Sequence, residues 1–344
     1  MSINPDSRVH IALSPWDLTD DYNRHAGVTV LSALNHCSRP TTIHLLYDSN
    51  LSKGKEKEEE YNKKCYQEIA DRYGCDIQYH HVDLPNWILK LDTVKKWTPG
   101  TLMRLYLPEL LPDVHKILYL DCDMVVLTSI DKLFDTVIDD KYLAACMDNS
   151  IDSFGRKRKI MYKMLGIEHN TYFCAGILLI NLDKLRQLKP SFTSVLLSYL
   201  KENPTLPYLD QDLLNWFCMD EYKKLDQKYN VYADRKDSIK YSGDCILHYA
   251  DKAKPWVRYS GDIDDFYWNY LLQTPWCKSK SDVLKYSMNV VNIAQSRQHI
   301  AKYVCEGREG NKINIVLEEL NFLITYFRAL IVKIFQTIMQ IIRP

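Results

Sequence analysis

Two aspartates one residue apart, Asp121 and Asp123, interrupt an apolar stretch of the chain. Apolar residues precede them at positions 117–120 and follow them at positions 124–127. An apolar strand tolerates carboxylates only where the chain leaves the core. We therefore expect the pair at the carboxyl end of a buried strand, where open α/β sheets bind ligands. Two carboxylate oxygens there could hold a hard divalent cation that bridges a diphosphate. The alternative is an ordinary turn at the end of a strand.

His248 is a third candidate ligand, because it stands at the end of another apolar stretch, residues 245–248. A lone histidine is more often a hydrogen-bonded residue of the core than a ligand. Together with Asp121 and Asp123, however, it would give two carboxylates and one imidazole, a set that suits Mn²⁺. Taken by itself, the pattern leaves both interpretations of His248 open.

Three further polar side chains belong to predicted helices. Arg104 lies in a helix predicted over residues 97–111, which leads directly to the acidic strand end and can direct a cation towards it. A contact with phosphate or sugar and an ordinary exposed position are both open for Arg104. Asp210 and Gln211 begin an amphipathic helix over residues 207–217, where one acidic residue would suffice as a cap. The additional carboxylate and amide are available to face a sugar.

Strands and helices alternate from the beginning of the chain. Strands are predicted over residues 9–13, 42–47, 76–82, 142–147 and 172–182, and helices over residues 26–34 and within the charged segment 53–72. This alternation predicts an α/β fold with a mainly parallel sheet flanked by helices. Asp148 follows one of the strands. Gly176, near the start of another, suggests that its backbone closely approaches a ligand or a neighbouring strand.

The composition is that of a globular chain whose overall charge attracts no nucleic acid. The 344 residues are 46% apolar, and 44 basic residues balance 44 acidic ones. A chain of this length can bury a sizeable core. A formal net charge of zero produces no long-range field for a polyanion. Any anionic partner must therefore be bound locally.

The amino terminus and the cysteines indicate a cytoplasmic protein. Residues 1–8 are polar and lack the apolar core of a secretory signal, so we expect the chain to start in the cytosol. None of the ten cysteines forms a Cys-x-x-Cys pair, and several lie in apolar stretches. Reduced thiols in a core explain this pattern better than a disulfide scaffold or a zinc site.

Residues 321–343 have the pattern of an amphipathic helix. At about 100° per residue, isoleucine, leucine and phenylalanine side chains fall on one side, and arginine, lysine, threonine and glutamine side chains on the other. The polar side chains would be costly in hydrocarbon, so the pattern favours a helix that lies in the membrane interface over one that spans the bilayer. The alternative is a helix packed on the protein or on a partner subunit.

Several short motifs, in a consistent order over residues 9–256, together resemble glycosyltransferase family 8. This family comprises retaining GT-A enzymes and includes bacterial lipooligosaccharide galactosyltransferases and glycogenin. The motifs are residues 22–28 (Tyr-Asn-Arg-His-Ala-Gly-Val), 101–104, 119–123, 172–181, 210–215 and 248–256. Each motif is weak alone, but the full set is highly specific.

The resemblance implies a GT-A, Rossmann-like fold, a UDP-sugar donor and a bound Mn²⁺ ion, or Mg²⁺ in its place. The metal would be held by Asp121, Asp123 and His248, and Lys254 would reach the diphosphate. Both the cation and the lysine would neutralise charge that grows on the departing diphosphate. No strong general acid is then needed for its departure.

The resemblance also assigns the residues around the sugar. Arg104, Asp210 and Gln211 would surround the transferred hexose and serve as the catalytic set, while Asp148 would lie near the donor or acceptor. Because the amide of Gln211 is neutral and a poor nucleophile, we favour attack by the acceptor from the side of the leaving group over a covalent intermediate.

Two positions depart from the family pattern. Cys174, which belongs with Gly176 to the motif expected to bind the donor, replaces the usual asparagine. One amide contact to a sugar is therefore missing, and the identity of the donated hexose is left open. Asp251 replaces the usual glycine of the loop that follows His248.

We therefore predict a retaining hexosyltransferase that moves galactose or glucose from a UDP-sugar to a lipopolysaccharide, lipooligosaccharide or other surface glycan. We expect a catalytic domain over residues 1–260, a small helical region on the acceptor side over 261–315, and a membrane-associated helix over 316–344.

Two alternatives remain at this point. A sugar-nucleotide nucleotidyltransferase would also place a metal beside a diphosphate, but the chain has no glycine-rich phosphate loop near its start. A catalytically inactive membrane scaffold is disfavoured because Asp121, Asp123, His248 and Lys254 are all present.

Overall fold

The apolar stretches of the sequence form a seven-stranded sheet with the order β3-β2-β1-β4-β7-β6-β8. Its strands are β1 (Val9–Trp16), β2 (Thr41–Tyr47), β3 (Asp76–His81), β4 (Lys116–Leu120), β6 (Leu143–Met147), β7 (Phe173–Asn181) and β8 (Tyr222–Lys224). The pairs β1–β2, β2–β3, β1–β4 and β6–β8 are parallel, whereas β7 is antiparallel to both β4 and β6. The predicted mixed, mainly parallel sheet is confirmed.

The structure is a computed structural model. It describes residues 8–19, 21–48, 51, 53–148, 162–163, 165–167, 171–219, 221–233, 243–250, 254–257 and 262–277. Asp251 and the predicted amphipathic helix over residues 321–343 lie outside these ranges, and the predicted three-part division of the chain stays a prediction. Among the described residues, no helix is both long enough and apolar enough to cross a bilayer.

Helices connect and cover the strands. They are α1 (Tyr22–Asn35), α2 (Glu56–Tyr73), α3 (Asp92–Trp97), α4 (Gly100–Met103), α5 (Leu107–Leu110), α6 (Ile130–Phe134), α7 (Leu182–Arg186), α8 (Phe192–Glu202), α9 (Asp210–Cys218) and α10 (Ile263–Leu271). The charged segment after β2 forms α2. Three glutamates in its first turn complement the helix dipole, while Tyr66 and Ile69 face the core. All nine cysteines among the described residues are free thiols.

Both faces of the sheet are buried at its centre, where β4 and β7 are apolar almost throughout. On β4, Ile117 and Tyr119 belong to the core covered by α3–α5 and α7–α9, whereas Leu118 and Leu120 belong to the core covered by α1, α2 and α6. With both faces covered, polar side chains of β4 can reach a ligand only where the strand ends.

A second sheet of three strands adjoins this end. It consists of β5 (Met124–Val126), β10 (Ile246–His248) and β9 (Val231–Tyr232), in the order β5-β10-β9. In the main sheet, β2 and β3 lie on one side of β1, and β4 lies on the other side. The chain therefore reverses its direction of progress between β1 and β4, at the kind of switch point where α/β sheets bind ligands. Asp121 directly follows β4 at this point.

The segment predicted as a single helix over residues 97–111 is helical from Gly100 to Leu110, but the helix is interrupted. This part of the chain forms α3, α4, a 3₁₀ turn over Arg104–Tyr106, and α5. Thr98 has φ +69°, outside the helical region, and it precedes Pro99. Pro108 stands in the first turn of α5. A residue before proline is disfavoured in helical conformation, and proline has no N–H to donate, so the two prolines divide the segment.

Three histidines form a hydrogen-bonded row across β1, β2 and β3. Nδ1 of His10 lies 3.0 Å from Nε2 of His44, and Nδ1 of His44 lies 3.0 Å from Nε2 of His80. Burial lowers the pKa of all three histidines, and brings that of His44 to about 3. The charge of Arg8 and the neighbouring imidazoles, including His115, add to this lowering. The two nitrogens at the ends of the row, His10 Nε2 and His80 Nδ1, take no part in these N–H···N bonds. One extra proton can bind at an end nitrogen, but a second one would break an N–H···N bond.

We expect this row to make the fold sensitive to acid. In the unfolded chain His44 takes up a proton near pH 6.5, whereas in the folded protein it resists down to about pH 3. The stabilisation is therefore complete above pH 6.5 and is lost as the pH falls, by about 2 kcal/mol at pH 5 for His44 alone. Urea unfolding at pH 7.5 and 5.0 should show a smaller acid loss for His44→Gln than for the wild type. His36→Gln, outside the row, is the control. Equal acid losses in all three proteins would contradict this role for the row.

Candidate active site

Asp121, Asp123 and His248 meet at the carboxyl end of β4. One ligand atom from each residue lies within 4.8 Å of the others. His248 Nε2 is 3.8 Å from Asp121 Oδ2 and 3.4 Å from Asp123 Oδ1. The antiparallel pairing of β10 with β5 brings them together, because it sets His248 opposite Met124, the residue after Asp123. The structure thus joins the three candidate ligands that the sequence analysis selected.

Gly176 leaves the space that this cluster occupies. A Cβ atom at this position would lie 2.5 Å from His248 Cε1 and 2.9 Å from Asp121 Oδ2. The backbone of Gly176 also accepts a hydrogen bond of 2.8 Å from the N–H of Asp121. The backbone of Gly176 therefore makes the expected close approach, and the neighbours that it approaches are the side chains of His248 and Asp121.

Positive charge surrounds the buried carboxylate of Asp123. Lys254 Nζ forms an ion pair with its Oδ2 atom, and His248 approaches its Oδ1 atom. Burial alone would raise the pKa of Asp123, but the charges of Lys254 and His248 outweigh burial and bring that pKa well below its usual value. Within the described part of the chain, Oδ1 has no hydrogen-bond partner although it is buried.

The donor set fits a divalent cation. Two carboxylates and an imidazole are suitable ligands for Mn²⁺ and related ions. The buried Oδ1 atom of Asp123 lacks a hydrogen bond, which a cation would compensate. In the metal-free protein, burial would lower the pKa of His248, but the carboxylate of Asp123 raises it to about 10. A metal ion at this site would therefore displace a proton from His248.

Arg104 lies at the other side of Asp121. Its guanidinium is buried, donates a hydrogen bond of 2.9 Å to Asp121 Oδ1, and lies 3.4 Å from Asp210 Oδ2. It also donates to the carbonyl of Ala175 and covers the ring of Tyr119 at 4.1 Å. Burial raises the pKa of Asp210 to about 6, even though Arg104 opposes this shift. Arg104 is thus a structural link between the candidate metal ligand Asp121 and α9, not an ordinary exposed helix residue.

Gln211 is held in one orientation by the neighbouring backbone and by Asp148. Its Oε1 atom accepts a hydrogen bond of 3.0 Å from the N–H of Ala175, and its Nε2 atom donates one of 2.9 Å to Asp148 Oδ2. The other oxygen of Asp148 accepts a hydrogen bond from the hydroxyl of Tyr232 at 3.0 Å. The N-cap of α9 is Leu209, without a side-chain cap. The side chains of Asp210 and Gln211 thus both contact residues outside their helix.

The structure adds two residues that the sequence analysis missed. Asn230 is fully buried, and its Oδ1 atom lies 2.9 Å from His248 Nδ1. The ring of Tyr232 stacks on the imidazole of His248, with 5.5 Å between the centroids. Cys174, also buried, has its Sγ atom 4.0 Å from His248 Nδ1. The motif Lys-Tyr-Asn-Val-Tyr gave no signal, because strand β9 is only two residues long.

Comparison with known proteins defines the family. The profile described as "Glycosyl transferase family 8" matches residues 15–260. This chain belongs to glycosyl transferase family 8. It is therefore a glycosyltransferase, and membership implies a sugar-nucleotide donor and a glycan acceptor. The family assignment confirms the resemblance found in the motifs and favours glycosyl transfer over both the nucleotidyltransferase and the inactive scaffold.

Relatives of this family member include enzymes of lipopolysaccharide synthesis. A putative glycosyltransferase of Haemophilus influenzae is 27% identical over 73% of this chain and 75% of its own length. A lipopolysaccharide 1,2-glucosyltransferase of Escherichia coli is 25% identical over 76% and 78%. A lipopolysaccharide 1,3-galactosyltransferase of Salmonella typhimurium is 25% identical over 61% and 65%.

Solved structures share the fold. The galactosyltransferase LgtC superimposes with a TM-score of 0.61 at 21% identity, over 78% of this chain and 96% of LgtC. The bifunctional glycosyltransferase WbbM gives a TM-score of 0.64 at 21% identity, over 83% of this chain but only 53% of WbbM. The chain therefore spans about half of WbbM. The predicted GT-A architecture is confirmed.

We expect Gly176→Ala to disrupt the candidate metal site of Asp121, Asp123 and His248. The new methyl group would overlap His248 and Asp121, so both ligands must move, and we expect the affinity for Mn²⁺ to fall at least about 10-fold. Isothermal titration of the purified protein measures this affinity. Gly74→Ala is the control, since Gly74 has φ +62° and open space around its Cα. The control should lower stability by about 1 kcal/mol without changing the affinity. Unchanged binding by Gly176→Ala would contradict the packing described here.

Proposed function

We propose that this glycosyltransferase moves galactose or glucose from a UDP-sugar to a glycan acceptor, with retention of the α-configuration. The observation that carries the proposal is the cluster of Asp121, Asp123 and His248, with the buried Oδ1 atom of Asp123 lacking a hydrogen bond among the described residues. The relatives named for lipopolysaccharide galactosyl and glucosyl transfer support a lipopolysaccharide, lipooligosaccharide or other surface glycan as the acceptor.

Asp121, Asp123 and His248 would hold Mn²⁺, with Mg²⁺ as the alternative ion. When bound, the cation would act as a Lewis acid toward the diphosphate of the donor and neutralise negative charge on it. Lys254 contributes a second positive charge at the same place, since its ammonium group already lies against Asp123. We propose that Lys254 contacts the diphosphate when the donor binds. The residues that bind the leaving group therefore carry the electrostatic part of catalysis.

The sugar would lie between the metal cluster and the start of α9. Arg104 contacts Asp121 at one end and Asp210 at the other, so both carboxylates are held at fixed positions. We propose that Asp210, Gln211 and Asp148 bind hydroxyl groups of the hexose or of the acceptor. Gly176 and Cys174 would line the donor side. With Cys174 offering a weak thiol partner in place of an amide, a donor screen is needed to identify the hexose.

Retention of configuration can arise without a covalent intermediate. Gln211 has a neutral amide whose two ends are already hydrogen-bonded, and Asp210 is paired with Arg104. Both are therefore weak nucleophiles. We propose that the acceptor oxygen attacks the anomeric carbon from the side of the diphosphate. The bond to the acceptor oxygen forms as the bond to the phosphate oxygen breaks, and the departing phosphate oxygen takes the proton of the acceptor hydroxyl.

A donor screen with Asp123→Ala tests this function without knowledge of the acceptor. We expect Mn²⁺-dependent hydrolysis of UDP-galactose or UDP-glucose, and little hydrolysis of their N-acetyl forms. Asp123→Ala should lower the rate at least about 100-fold, because the carboxylate that holds the cation is lost. Asp183→Ala is the control, since Asp183 follows β7 at the opposite end of the sheet. Circular dichroism reports whether each variant keeps its fold. Full activity of Asp123→Ala, or undiminished activity in chelator, would refute the proposal.

We also propose that residues 316–344 attach the enzyme to the cytosolic face of a membrane. This segment lies outside the described residues, so its sequence pattern is the support. An enzyme with a lipid-linked acceptor would gain from such an attachment, because it concentrates both reactants at one surface.

Sedimentation with lipid vesicles tests the attachment. We expect the full chain to sediment with vesicles that contain anionic lipid, and a chain that ends at residue 315 to remain in the supernatant. Sugar-nucleotide hydrolysis by the shortened chain shows that it is folded. A full chain that fails to sediment would reject the attachment, and a loss of oligomers on truncation would then indicate a helix that packs on a partner subunit.

A further inference from the structure

The imidazole of His248 has a buried partner on the side away from the metal cluster. Asn230 is 0% exposed, and its Oδ1 atom lies 2.9 Å from Nδ1 of His248. The backbone at Asn230 is fixed as well. Its N–H donates to the carbonyl of Gln227 at 3.0 Å, and its carbonyl accepts from Nε2 of Gln227 at 2.9 Å. The backbone that carries the amide is thus fixed beside one ring nitrogen of the candidate ligand.

When the imidazole is neutral, as a metal ligand must be, this contact selects one tautomer of His248. A neutral imidazole carries one N–H and one lone pair, and the partner of one nitrogen decides which is which. When Nδ1–H donates to Asn230 Oδ1, the lone pair lies on Nε2. Nε2 is the atom that faces the carboxylates, 3.8 Å from Asp121 and 3.4 Å from Asp123. The opposite tautomer would point a hydrogen at the place where a cation would lie.

Tyr232 restricts the imidazole of His248 from the face of the ring. Its side chain stacks on His248 with an angle of 26° between the ring planes. The stacking follows from the parallel pairing of β9 with β10, which sets Tyr232 opposite His248. The stack limits the tilt of the imidazole, whereas the amide of Asn230 limits its rotation within the ring plane.

The side-chain amide of Asn230 is only partly satisfied by hydrogen bonds. Its Nδ2 atom is buried and has no hydrogen-bond partner among the described residues. A buried donor without a partner destabilises the fold. The amide therefore contributes through its oxygen, which contacts His248.

We propose that Asn230 is a positioning residue that orients His248 and sets its tautomer for metal binding. The inference rests on the proposed metal site and extends it to a residue outside the ligand set. Partners that fix a ligating histidine typically contribute 10-fold to 100-fold to metal affinity. An aspartate at position 230 would keep the acceptor, whereas a leucine would fill the space without one.

Titration of the full chain with Mn²⁺, alone and with UDP present, tests this role. We expect Asn230→Leu to weaken Mn²⁺ binding about 10-fold to 100-fold. The midpoint of urea unfolding should change little, because the unpaired Nδ2 donor and the acceptor of His248 Nδ1 are lost together. Asn230→Asp should bind Mn²⁺ at least as well as the wild type. Asn62→Leu is the control, since Asn62 is also buried but pairs with the indole of Trp276. It should lower the unfolding midpoint and leave the Mn²⁺ affinity of the folded protein unchanged.

The outcomes separate this inference from the proposed function. Wild-type affinity for Mn²⁺ in Asn230→Leu would overturn the role of Asn230 and leave the metal site intact. A wild-type protein that binds no Mn²⁺, with or without UDP, would reject the metal site itself and the inference with it. If Asn230→Leu does not fold, Asn230→Ala replaces it. Weakened binding by Asn230→Ala with retained binding by Asn230→Asp supports the proposal, and equal binding by both variants overturns it.

Discussion

A carboxylate that loses its water needs positive charge in exchange, and the site is built around this requirement at Asp123. Lys254 pairs with one oxygen of this buried side chain, and His248 lies against the other. Gly176 allows the imidazole to come this close, because any side chain there would overlap it. The arrangement keeps the carboxylate of Asp123 ionised, close to that of Asp121.

Arg104 also pairs with buried carboxylates, on the side of the site where α9 begins. It is buried between Asp121 and Asp210, so the candidate metal site and the start of α9 are joined by one guanidinium. Its planar group can serve several acceptors at once, which a lysine ammonium cannot do with the same geometry. A displacement of Asp121 or of Asp210 would therefore shift Arg104 and, through it, the other carboxylate.

Much of the fold follows from local patterns, and the exceptions have local causes. Strands covered on both faces are mostly apolar, which is why β4 and β7 are visible in the sequence. The segment before β4 is apolar as well, yet it forms short helices, and Pro99 and Pro108 lie where one helix ends and the next begins. For the site, Asp121, Asp123 and His248 could be selected because each ends an apolar stretch. Asn230 could not, since a single amide beside a two-residue strand has no periodicity to reveal it.

The sequence by itself determined the α/β class, the acidic strand end and the order of motifs that identifies the family. Only the tertiary structure decided which atoms face each other. Asp123 and Lys254 are 131 positions apart, and His248 reaches the carboxylates because β10 pairs with β5. Local patterns report whether a side chain is buried. The partner of a buried charge is decided by strand pairing between distant segments, which a local pattern does not contain.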